Sequence, residues 1–450
     1  MAVASILDTV RGHLEQVSDK VANYQNFDIS LASRLKPKTV AETTRYLYRQ
    51  VIKVYDGGVS QKVSMDNGDM GGGTGPVLKY FTAGFIYSNL GFMFTEEQRR
   101  QAEKDTQSRF KVVADMLGTA FDTMVGHDNI HLFGSGNGAL TAAASARSGA
   151  VYTFNGASDS LNVSWLMKGM SVDVWDSTLA TRRNSTTQGP LRIIDMDPSS
   201  FIVTLNATPD TSPGTTDRLV VANVDVYGPS APTTLSSTWP GGGLTTASGL
   251  TGDSWRHGLQ YVNRVDPAEY YLGQLKSGFT ELLSNNVAAG GAALDFDHVE
   301  QIKEKLYNRW GDESETGLLG VINPRQMRKV MALGSTIVRN LAQGSTTNYV
   351  DQQPSLKYTQ QFNISGIPHF VSRAQDKARI DYFREADWGR VQSQPPEYYK
   401  GMDGGTMFFP IRSTTTGNIK TAWMWYIVQG FDYVNECPGR GGYISGLAYA

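Results

Sequence analysis

Two runs of β-forming residues that flank a glycine-rich tip constrain this chain more than any other feature. The runs are Gln50–Tyr55 and Val77–Phe81, the latter continued by Gly84–Tyr87, and the tip is 65–73. An isolated two-stranded ribbon is at best marginally stable in water, because it needs a third strand or a helix to bury a face. The ribbon is therefore predicted to need a neighbour that covers it.

A long helix is predicted directly after the ribbon. Thr95 and Gln98 have the spacing of a capping box, in which each side chain reaches the backbone amide of the other residue. The first half of the helix, to Arg109, is almost entirely polar, whereas the second half has one apolar stripe. Gly126 is expected to end the helix, because glycine is common just past a helix C-terminus. Only the second half can then be anchored in the subunit's own core.

Length and composition indicate a globular protein with more than one core. The chain has 450 residues, of which 40% are hydrophobic and 19% charged, and its formal net charge is −2. Single cores rarely grow beyond about 250 to 300 residues. A near-neutral chain has no basic footprint for tight binding to nucleic acid. The N-terminus lacks the pattern of a signal peptide, and no apolar run is long enough for a membrane span, so a cytoplasmic origin is expected.

The segment from Ala150 to His257 differs in character from the rest of the chain. Short strand-like runs alternate there with Gly, Pro, Asn and Asp, a pattern typical of a small all-β barrel or sandwich. The flanking sequence has α/β character, so this segment is predicted to be an inserted domain. Its tryptophans Trp165, Trp175 and Trp239 either belong to the core or form an exposed aromatic face, and core positions are the commoner case.

Helix signals are strong after the insertion. Asp295 is expected to cap a helix that ends at Gly311, and Asn323–Pro324 is expected to begin another. The short apolar run Leu318–Ile322 between them is predicted to be a buried strand. The charged face of the first helix, with Asp297, Glu300 and Glu304 among Lys303 and Lys305, is interpreted as a solvated surface with pairing between residues four apart.

Candidate metal and phosphate sites are weakly supported. His127 and His131 have the spacing at which one helical face presents two imidazoles to a metal, but no third ligand is suggested. The run 134–138 resembles a phosphate cradle only in its glycines, because it follows a helix and such sites follow a strand. We predict no metal and no cofactor.

Candidate nucleophiles also lack their partners. Ser158 and Ser160 have no general base or oxyanion donor nearby in sequence. Cys437, the single cysteine, could pair with a distant histidine such as His369, but a lone cysteine is more often a packing residue. We predict no catalytic residue and no enzymatic activity.

Taken in order, several segments resemble the major capsid protein family of tailed bacteriophages. The resemblance covers most of the chain except 150–257, where relatives also carry insertions. The segments that carry it are the ribbon 50–94 before the long helix, His131–Leu140, Gly320–Met327, Ile364–Val371, Trp388–Val391 and Asn435–Pro438.

The resemblance implies an α+β phage major-capsid fold. The domains it implies are an N-terminal arm 1–49, an extended β-hairpin loop 50–94, a peripheral domain 95–149 with a long spine helix completed by about 388–432, an inserted all-β domain 150–257, and an axial α/β domain 258–387 completed by about 433–450.

The resemblance also implies a function without catalysis. Hexamers and pentamers of this chain would form an icosahedral head around double-stranded DNA, in a virion assembled in the host cytoplasm. Implied partners are further copies of the chain, a portal, a separate scaffolding protein and a decoration protein, with non-specific DNA contact and no membrane. The ribbon tip is the candidate inter-subunit contact, through Lys62, Asp66, Asn67, Gly68 and Asp69.

Two alternatives remain open from the residues. A β-rich hydrolase would use Ser158 or Ser160 and would place a histidine within hydrogen-bond reach of the serine. A virion tail or adhesion protein would bind its ligand with Trp165, Trp175 and Trp239 exposed on one face of the inserted domain.

Overall fold

The structure is a computed structural model, and it describes the secondary structure of part of the chain. The described residues are 35, 37–39, 45–53, 77–84, 86–95, 124, 126, 128–134, 140–141, 143–154, 165–177, 182–185, 187–197, 201–221, 257–263, 265, 267, 270–272, 274–278, 282–311, 314, 316–331, 362–399, 409–412 and 419–448. None of the helices among them has both the length and the apolar character that a membrane span requires.

Strands dominate the described residues. They are β1 (Pro37–Thr39), β2 (Arg45–Lys53), β3 (Val77–Gly84), β4 (Ile86–Thr95), β5 (Ala144–Ser148), β6 (Val151–Phe154), β7 (Ser171–Trp175), β8 (Leu191–Asp197), β9 (Ile202–Leu205), β10 (Arg218–Val221), β11 (Tyr270–Tyr271), β12 (Gln274–Leu275), β13 (Asn285–Ala288), β14 (Leu318–Ile322), β15 (Phe362–Ile364), β16 (Ile367–Val371), β17 (Ile380–Arg384), β18 (Trp388–Tyr398), β19 (Phe409–Arg412), β20 (Ile419–Asn435) and β21 (Gly442–Ser445).

Helices are fewer. They are α1 (Leu259–Val262) and α2 (Phe296–Trp310), with helical residues at 128–133 and 324–331 and short 3-10 turns at Lys276–Gly278, Glu385–Asp387 and Pro438–Arg440. The fold is therefore mixed α+β with sheets in the majority, as the sequence predicts.

The predicted ribbon is present as an antiparallel pair of β2 and β3. Its register runs from Arg45 opposite Gly84 to Lys53 opposite Val77. The first strand begins at Arg45 rather than Gln50, since the aromatic residues just before Gln50 also favour a strand. β4 does not extend the ribbon, because it pairs with β20 in a different sheet. The segment 54–76 between the two strands, which includes the tip, lies outside the described residues.

One six-stranded sheet, here called the insertion sheet, is formed by strands close together in sequence. Its order is β10-β7-β8-β9-β6-β5, and the pairs with a described register are antiparallel. In β6 and β9 every second residue is buried, the period of a sheet with one covered face. Strand β5 precedes Ala150 and pairs with β6 at one edge of this sheet.

A second six-stranded sheet, here called the axial sheet, is formed by distant segments. Its order is β13-β21-β17-β14-β16-β15, with β13 parallel to β21, β14 parallel to β16, and β17 antiparallel to both of its neighbours. All five residues of β14 are buried, as expected for a central strand covered on both faces. The inner faces of α2 and of helical residues 324–331 pack into one core with this sheet.

The remaining strands form smaller or more irregular sheets. The longest, β20, is a neighbour of β18, β19 and β4, so the predicted strand at 419–428 is confirmed, is central and continues to Asn435. Strand β1 adds to β18 in parallel, with Pro37 opposite Arg390. Strands β11 and β12 pair only with each other among the described strands.

The chain divides into two compact units. The first comprises 1–32, 87–129 and 394–430, and the second comprises 33–86, 130–393 and 431–450. Both six-stranded sheets belong to the second unit.

Most of the helix predicted after the ribbon, 96–123, lies outside the described residues, but its predicted end at Gly126 is wrong. Gly126 is itself helical, residues 128–133 continue the helix, and the amide of Gly134 bonds to the carbonyl of His131 at its end. A glycine inside a helix costs only about 1 kcal/mol. Burial of Ile130, Leu132 and Phe133 in the last turns outweighs that penalty.

Candidate assembly surface

The five residues predicted to make the inter-subunit contact lie outside the described residues. Lys62, Asp66, Asn67, Gly68 and Asp69 belong to the ribbon tip, and the structure describes only the two strands that lead to it. Among the described strands, β2 and β3 pair only with each other. The backbone therefore contains the two-stranded ribbon that the sequence predicted to need a covering neighbour.

Helix α2 begins and ends where the sequence predicts. The carboxylate of Asp295 accepts a bond from the Phe296 amide at 2.6 Å, and His298 Nδ1 accepts one from the Asp295 amide at 3.2 Å. Gly311 follows its last residue with a φ of 61°, which glycine adopts without strain. The buried stripe of Val299, Ile302 and Leu306 faces the axial sheet.

The cations of α2 are directed at the subunit's own backbone, which corrects the predicted pairing of charges four residues apart. Lys305 donates to the carbonyl of Asn286, Arg309 to that of Leu283, and Lys303 to that of Ser365 at 3.0 Å. Lys303 also lies 3.6 Å from Glu300, three residues away. Backbone carbonyls within reach compete with the carboxylates of α2 for these flexible side chains. An exposed ion pair contributes too little free energy to outweigh such a hydrogen bond.

The outer face of α2 is consequently acidic. Asp297, Glu300, Glu304 and Tyr307 are exposed and lie at helical spacing on one side; we call this set the acidic stripe. Tyr307 is 54% exposed, unusually high for a large aromatic residue.

Helical residues 324–331 present the opposite charge. Asn323 precedes the helix and its side-chain oxygen accepts a bond from the Arg325 amide at 3.0 Å. On the inner side, Met327 and Val330 are buried, while the Gln326 amide donates to the carbonyls of Lys377 and Ala448 at 2.6 and 3.0 Å. On the outer side Arg325 and Arg328 are exposed and Lys329 is half-buried.

A buried polar network holds the axial sheet together. The Asp381 carboxylate accepts bonds from the Arg379 guanidinium at 2.7 Å, the Gln375 amide at 2.8 Å and the Asn263 amide at 2.9 Å. The Arg379 guanidinium carbon lies 3.9 Å from the centre of the Tyr443 ring. A buried charge with this many donors is satisfied, and removing any one of them leaves the others desolvated.

His369 is a structural residue of the same sheet. Its Nδ1 lies 2.8 Å from the carbonyl of Ile367, which can only accept, so Nδ1 carries the proton and Nε2 accepts from the Tyr382 hydroxyl at 3.2 Å. Burial lowers the pKa of His369 to about 4. A Cβ on Gly320, the residue opposite, would lie 2.3 Å from this imidazole, so the ring occupies space that only glycine leaves free.

Gly258 packs closely against backbone carbonyls at the end of helical residues 128–133. A Cβ on Gly258 would lie 2.3 Å from the His131 carbonyl oxygen and 2.4 Å from that of Gly134, so a side chain cannot be accommodated. Beside it, His257 Nδ1 lies 2.6 Å from the Asp432 carboxylate, whose other oxygen accepts the His257 amide at 3.0 Å. The last residue of the segment 150–257 is thus bonded to β20.

The first unit has its own buried polar contact. The Gln429 amide donates to both oxygens of the Asp128 carboxylate, at 2.9 and 3.0 Å, and both residues are buried. Nearby in the same unit, the amide of Tyr399 bonds to the carbonyl of Tyr426 at 2.9 Å, which extends the pairing beyond β18.

Among the described residues, the candidate nucleophile and the candidate metal ligands lack the surroundings that catalysis or metal binding requires. Burial raises the pKa of the Cys437 thiol to about 11, so it is not an activated nucleophile. Within the described residues no group of three or more metal-binding side chains exists, and His127, Ser158 and Ser160 lie outside them. Trp165 and Trp175 are only 3% and 4% exposed, so these two are core residues, whereas Trp239 lies outside the described residues.

Sequence reasoning did not predict that α2 has an acidic outer face and that residues 324–331 have a basic one. The residue types of α2 and of 324–331 were visible, but the direction of each lysine depends on which carbonyls lie within reach. The spacing of Asp297, Glu300, Glu304 and Tyr307 on one face was the signal that could have found the stripe.

Comparisons with known proteins find similarity of fold among solved structures. No protein-family model and no curated protein matches the chain. Among solved structures, the cyanophage A-1(L) capsid asymmetric unit is similar over 96% of this chain and 97% of its own, with a TM-score of 0.52 and 9% sequence identity. The capsid of the native GTA particle covers 96% and 95% with a TM-score of 0.47 and 7% identity, and the capsid of Myoviridae phage XM1 covers 96% and 97% with 0.40 and 9%.

The first of these similarities spans nearly the full length of both chains at a TM-score above the level of chance resemblance. It agrees with the ordered segments that the sequence shares with the same family. We conclude that this chain has the fold of the tailed-phage capsid proteins.

Proposed function

We propose that this protein is the major capsid protein of a tailed phage, and that its copies assemble into hexamers and pentamers of an icosahedral head around double-stranded DNA. The observation that carries the proposal is the end-to-end similarity of fold to a phage capsid subunit. Its location is then the virion, and its role is structural rather than catalytic.

The ribbon β2–β3 supports the proposal independently of the comparison. A two-stranded sheet of this length gains stability when a further surface covers it, and in a shell the next copy supplies that surface. The ribbon tip, with Lys62, Asp66, Asn67, Gly68 and Asp69, is proposed as part of that contact. A portal, a separate scaffolding protein and a decoration protein are the further partners. Contact with the DNA is non-specific, and a net charge of −2 keeps it weak because the chain has no basic excess to bind phosphates.

The boundaries of the domains follow from the same proposal. We assign 1–49 to the arm, 50–94 to the extended loop, 95–149 to the peripheral domain, 150–257 to the insertion and 258–387 to the axial domain. Residues from about 388 to 432 complete the peripheral domain, and those from about 433 to 450 complete the axial domain.

The test is to express the chain alone and together with its genomic neighbours, and to examine the particles by electron microscopy. Uniform closed shells or isolated capsomers are expected, with nuclease-protected DNA in complete virions. A chain that stays monomeric at high concentration in both settings contradicts the proposal.

Deleting residues 60–75, the ribbon tip, sharpens the test. A folded subunit with the circular dichroism of the full chain is expected, but with strongly reduced assembly, because the deleted tip carries the proposed contact. Normal shells from the deletion would refute the role assigned to the tip while leaving the shell function intact.

A further inference from the structure

We propose that the loop 372–378 acts with Trp165 and Phe201 as a clamp that fixes the insertion sheet in one orientation on the axial sheet. Trp165 lies between β6 and β7, Phe201 directly precedes β9, and the loop lies between β16 and β17. We call these three parts the clamp. The inference concerns the single subunit, so it does not rest on the proposed function.

Among the described strands, no pairing joins the two sheets. The strands of the insertion sheet pair with one another, and so do those of the axial sheet. Hydrogen bonds between strands fix the geometry inside each sheet, but they leave the position of one sheet relative to the other undetermined. Contacts of side chains and loops must therefore set that position.

The indole of Trp165 makes the first contact of the clamp. Its Nε1–H donates to the carbonyl oxygen of Ala374 at 2.6 Å, across 209 residues of sequence. Both residues are buried, so the bond is shielded from water. A buried indole N–H needs a partner, and a buried carbonyl that loses its donor is left desolvated. Both groups therefore favour the orientation in which they meet.

The ring of Phe201 makes the second contact of the clamp. The Lys377 ammonium nitrogen lies 4.5 Å from the centre of this ring, within the range of a cation–π interaction. Burial lowers the pKa of Lys377 and the charge of Arg325 lowers it further, whereas Asp376 raises it. The ammonium is thus partly withdrawn from water, and an aromatic face attracts a desolvated cation more strongly than a solvated one.

The backbone of Phe201 is held in a conformation that bulky residues rarely adopt. Its φ is 56°, in the left-handed region. Its carbonyl accepts the amide of Phe154 in β6 at 2.9 Å, which ties this turn to the insertion sheet. Such conformations persist where the surrounding structure over-determines them. The turn before β9 therefore holds the ring in a fixed position at Lys377.

The loop 372–378 is bonded on its other side to the axial sheet's own helix. The side chain of Asn323 donates to the carbonyl of Gln375 at 2.7 Å, and that of Gln326 to the carbonyl of Lys377 at 2.6 Å. Loops usually run over the surface. Most of this loop is nevertheless buried, namely Ser372, Ala374, Gln375, Asp376 and Ala378. A segment that is bonded to this loop is therefore held against the axial sheet as a whole.

Distances between two spin labels test the clamp in the full-length chain. One label is attached at Asp195→Cys in β8 and the other at Glu304→Cys in α2, both at exposed positions. Cys437 is buried, and burial raises the pKa of its thiol to about 11, which directs labelling to the two introduced thiols. Pulsed electron spin resonance then gives the distribution of distances between the two sheets.

Two variants each remove one contact of the clamp. Trp165→Phe removes the N–H donor but keeps an aromatic ring, and Lys377→Met removes the cation but keeps an unbranched stem. The matched control is Trp175→Phe, which makes the same change of side chain in β7 at 4% exposure. Hydrogen exchange on the same proteins reports whether either sheet has opened.

A single narrow distribution is expected for the protein with an intact clamp and for the Trp175→Phe control. Trp165→Phe and Lys377→Met should each broaden the distribution. Exchange at the amides of the loop 372–378 should rise about tenfold in Trp165→Phe, because a buried carbonyl there has lost its donor. Protection of β10 and β14 should not change, since the clamp lies outside these strands.

Three outcomes would overturn the inference. A broad distribution in the protein with an intact clamp shows that the two sheets have no fixed orientation. An unchanged distribution in either clamp variant excludes the clamp. Equal broadening in the Trp175→Phe control, or loss of protection in β10 and β14, assigns the effect to general destabilisation. None of these measurements needs an assembled shell, so their result is separate from the test of the proposed function.

Discussion

The insertion sheet and the axial sheet have the same number of strands, but the residues whose side chains hold each sheet together are separated by very different lengths of chain. In the insertion sheet, the Asp173 carboxylate is bonded to Arg182 and Asn184, nine and eleven residues away. In the axial sheet, Asp381 is bonded to Asn263, 118 residues away. Local contacts close short loops at little entropic cost, whereas the axial network forms only after distant segments have met.

The difference implies two kinds of cooperativity within one compact unit. The insertion sheet can open or be altered with local consequences. The axial sheet contains parallel strands from four separate stretches of chain, so weakening its network weakens the whole unit. Substitutions in the two sheets can test whether this contrast is real.

The largest effect is expected for Asp381→Ala. Removing this carboxylate takes the charged partner from the Arg379 guanidinium and one of the acceptors from each of the Gln375 and Asn263 amides. Breaking a buried ion pair from one side costs about 3 to 5 kcal/mol. Chemical denaturation should show a loss of this size, with hydrogen exchange accelerated across β14, β16, β17 and β21 together.

The exposed Asp195→Ala in β8 is the control, with an expected change of no more than about 0.5 kcal/mol. If Asp381→Ala changed the free energy of unfolding as little as the control does, the axial network would not be what joins the distant segments.

A second effect is expected from pH. The pKa of His369 is about 4 in the folded protein and about 6.5 when unfolded, so the unfolded chain binds a proton first as the pH falls. The stability that neutral His369 contributes is therefore complete above pH ~6.5 and decreases down to pH ~4, by about 3 kcal/mol in total. Denaturation curves at several pH values measure this slope.

His369→Asn is the matched variant, because its amide can still donate to the Ile367 carbonyl but does not titrate in this range. It should be less stable than wild type at pH 7 and should lose less stability on acidification. Identical slopes for the two proteins would show that His369 does not stay neutral in the folded axial sheet.

The smallest effect is expected for Asp173→Ala in the insertion sheet. Two described donors lose their acceptor, Arg182 at 2.7 Å and Asn184 at 2.8 Å, and a cost of about 2 kcal/mol follows from leaving them desolvated. Hydrogen exchange should accelerate in β7, β8 and β10 while the axial strands keep their protection. Equal acceleration in both sheets would remove the contrast between them.

Much of the axial architecture could be predicted from local signals. The cap at Asp295, the end at Gly311, the buried strand Leu318–Ile322 and the start at Asn323–Pro324 all depend on residues within a few positions of each other. The antiparallel ribbon was predicted for the same reason, although its first strand starts at Arg45. The ribbon-tip contact remains a prediction.

The errors came from positions where a distant segment decides. Gly126 has the residue type of a helix end, but burial of Leu132 and Phe133 continues the helix to a stop beside Gly258. The lysines of α2 were expected to pair with acids four residues away on their own helix. Both bond to carbonyls of other segments, and Lys303 in addition pairs with Glu300, three residues away.

The sequence by itself determined where α2 and the buried strand Leu318–Ile322 begin and end, because hydrophobic period, caps and glycine conformations act over a few residues. The tertiary structure decided which strands are neighbours, which direction the α2 cations take, and that an acidic and a basic surface share one core. Those outcomes depend on carbonyls and charges from 19 residues apart, as between Lys305 and Asn286, to 118 residues apart, as between Asn263 and Asp381, and no local pattern encodes them.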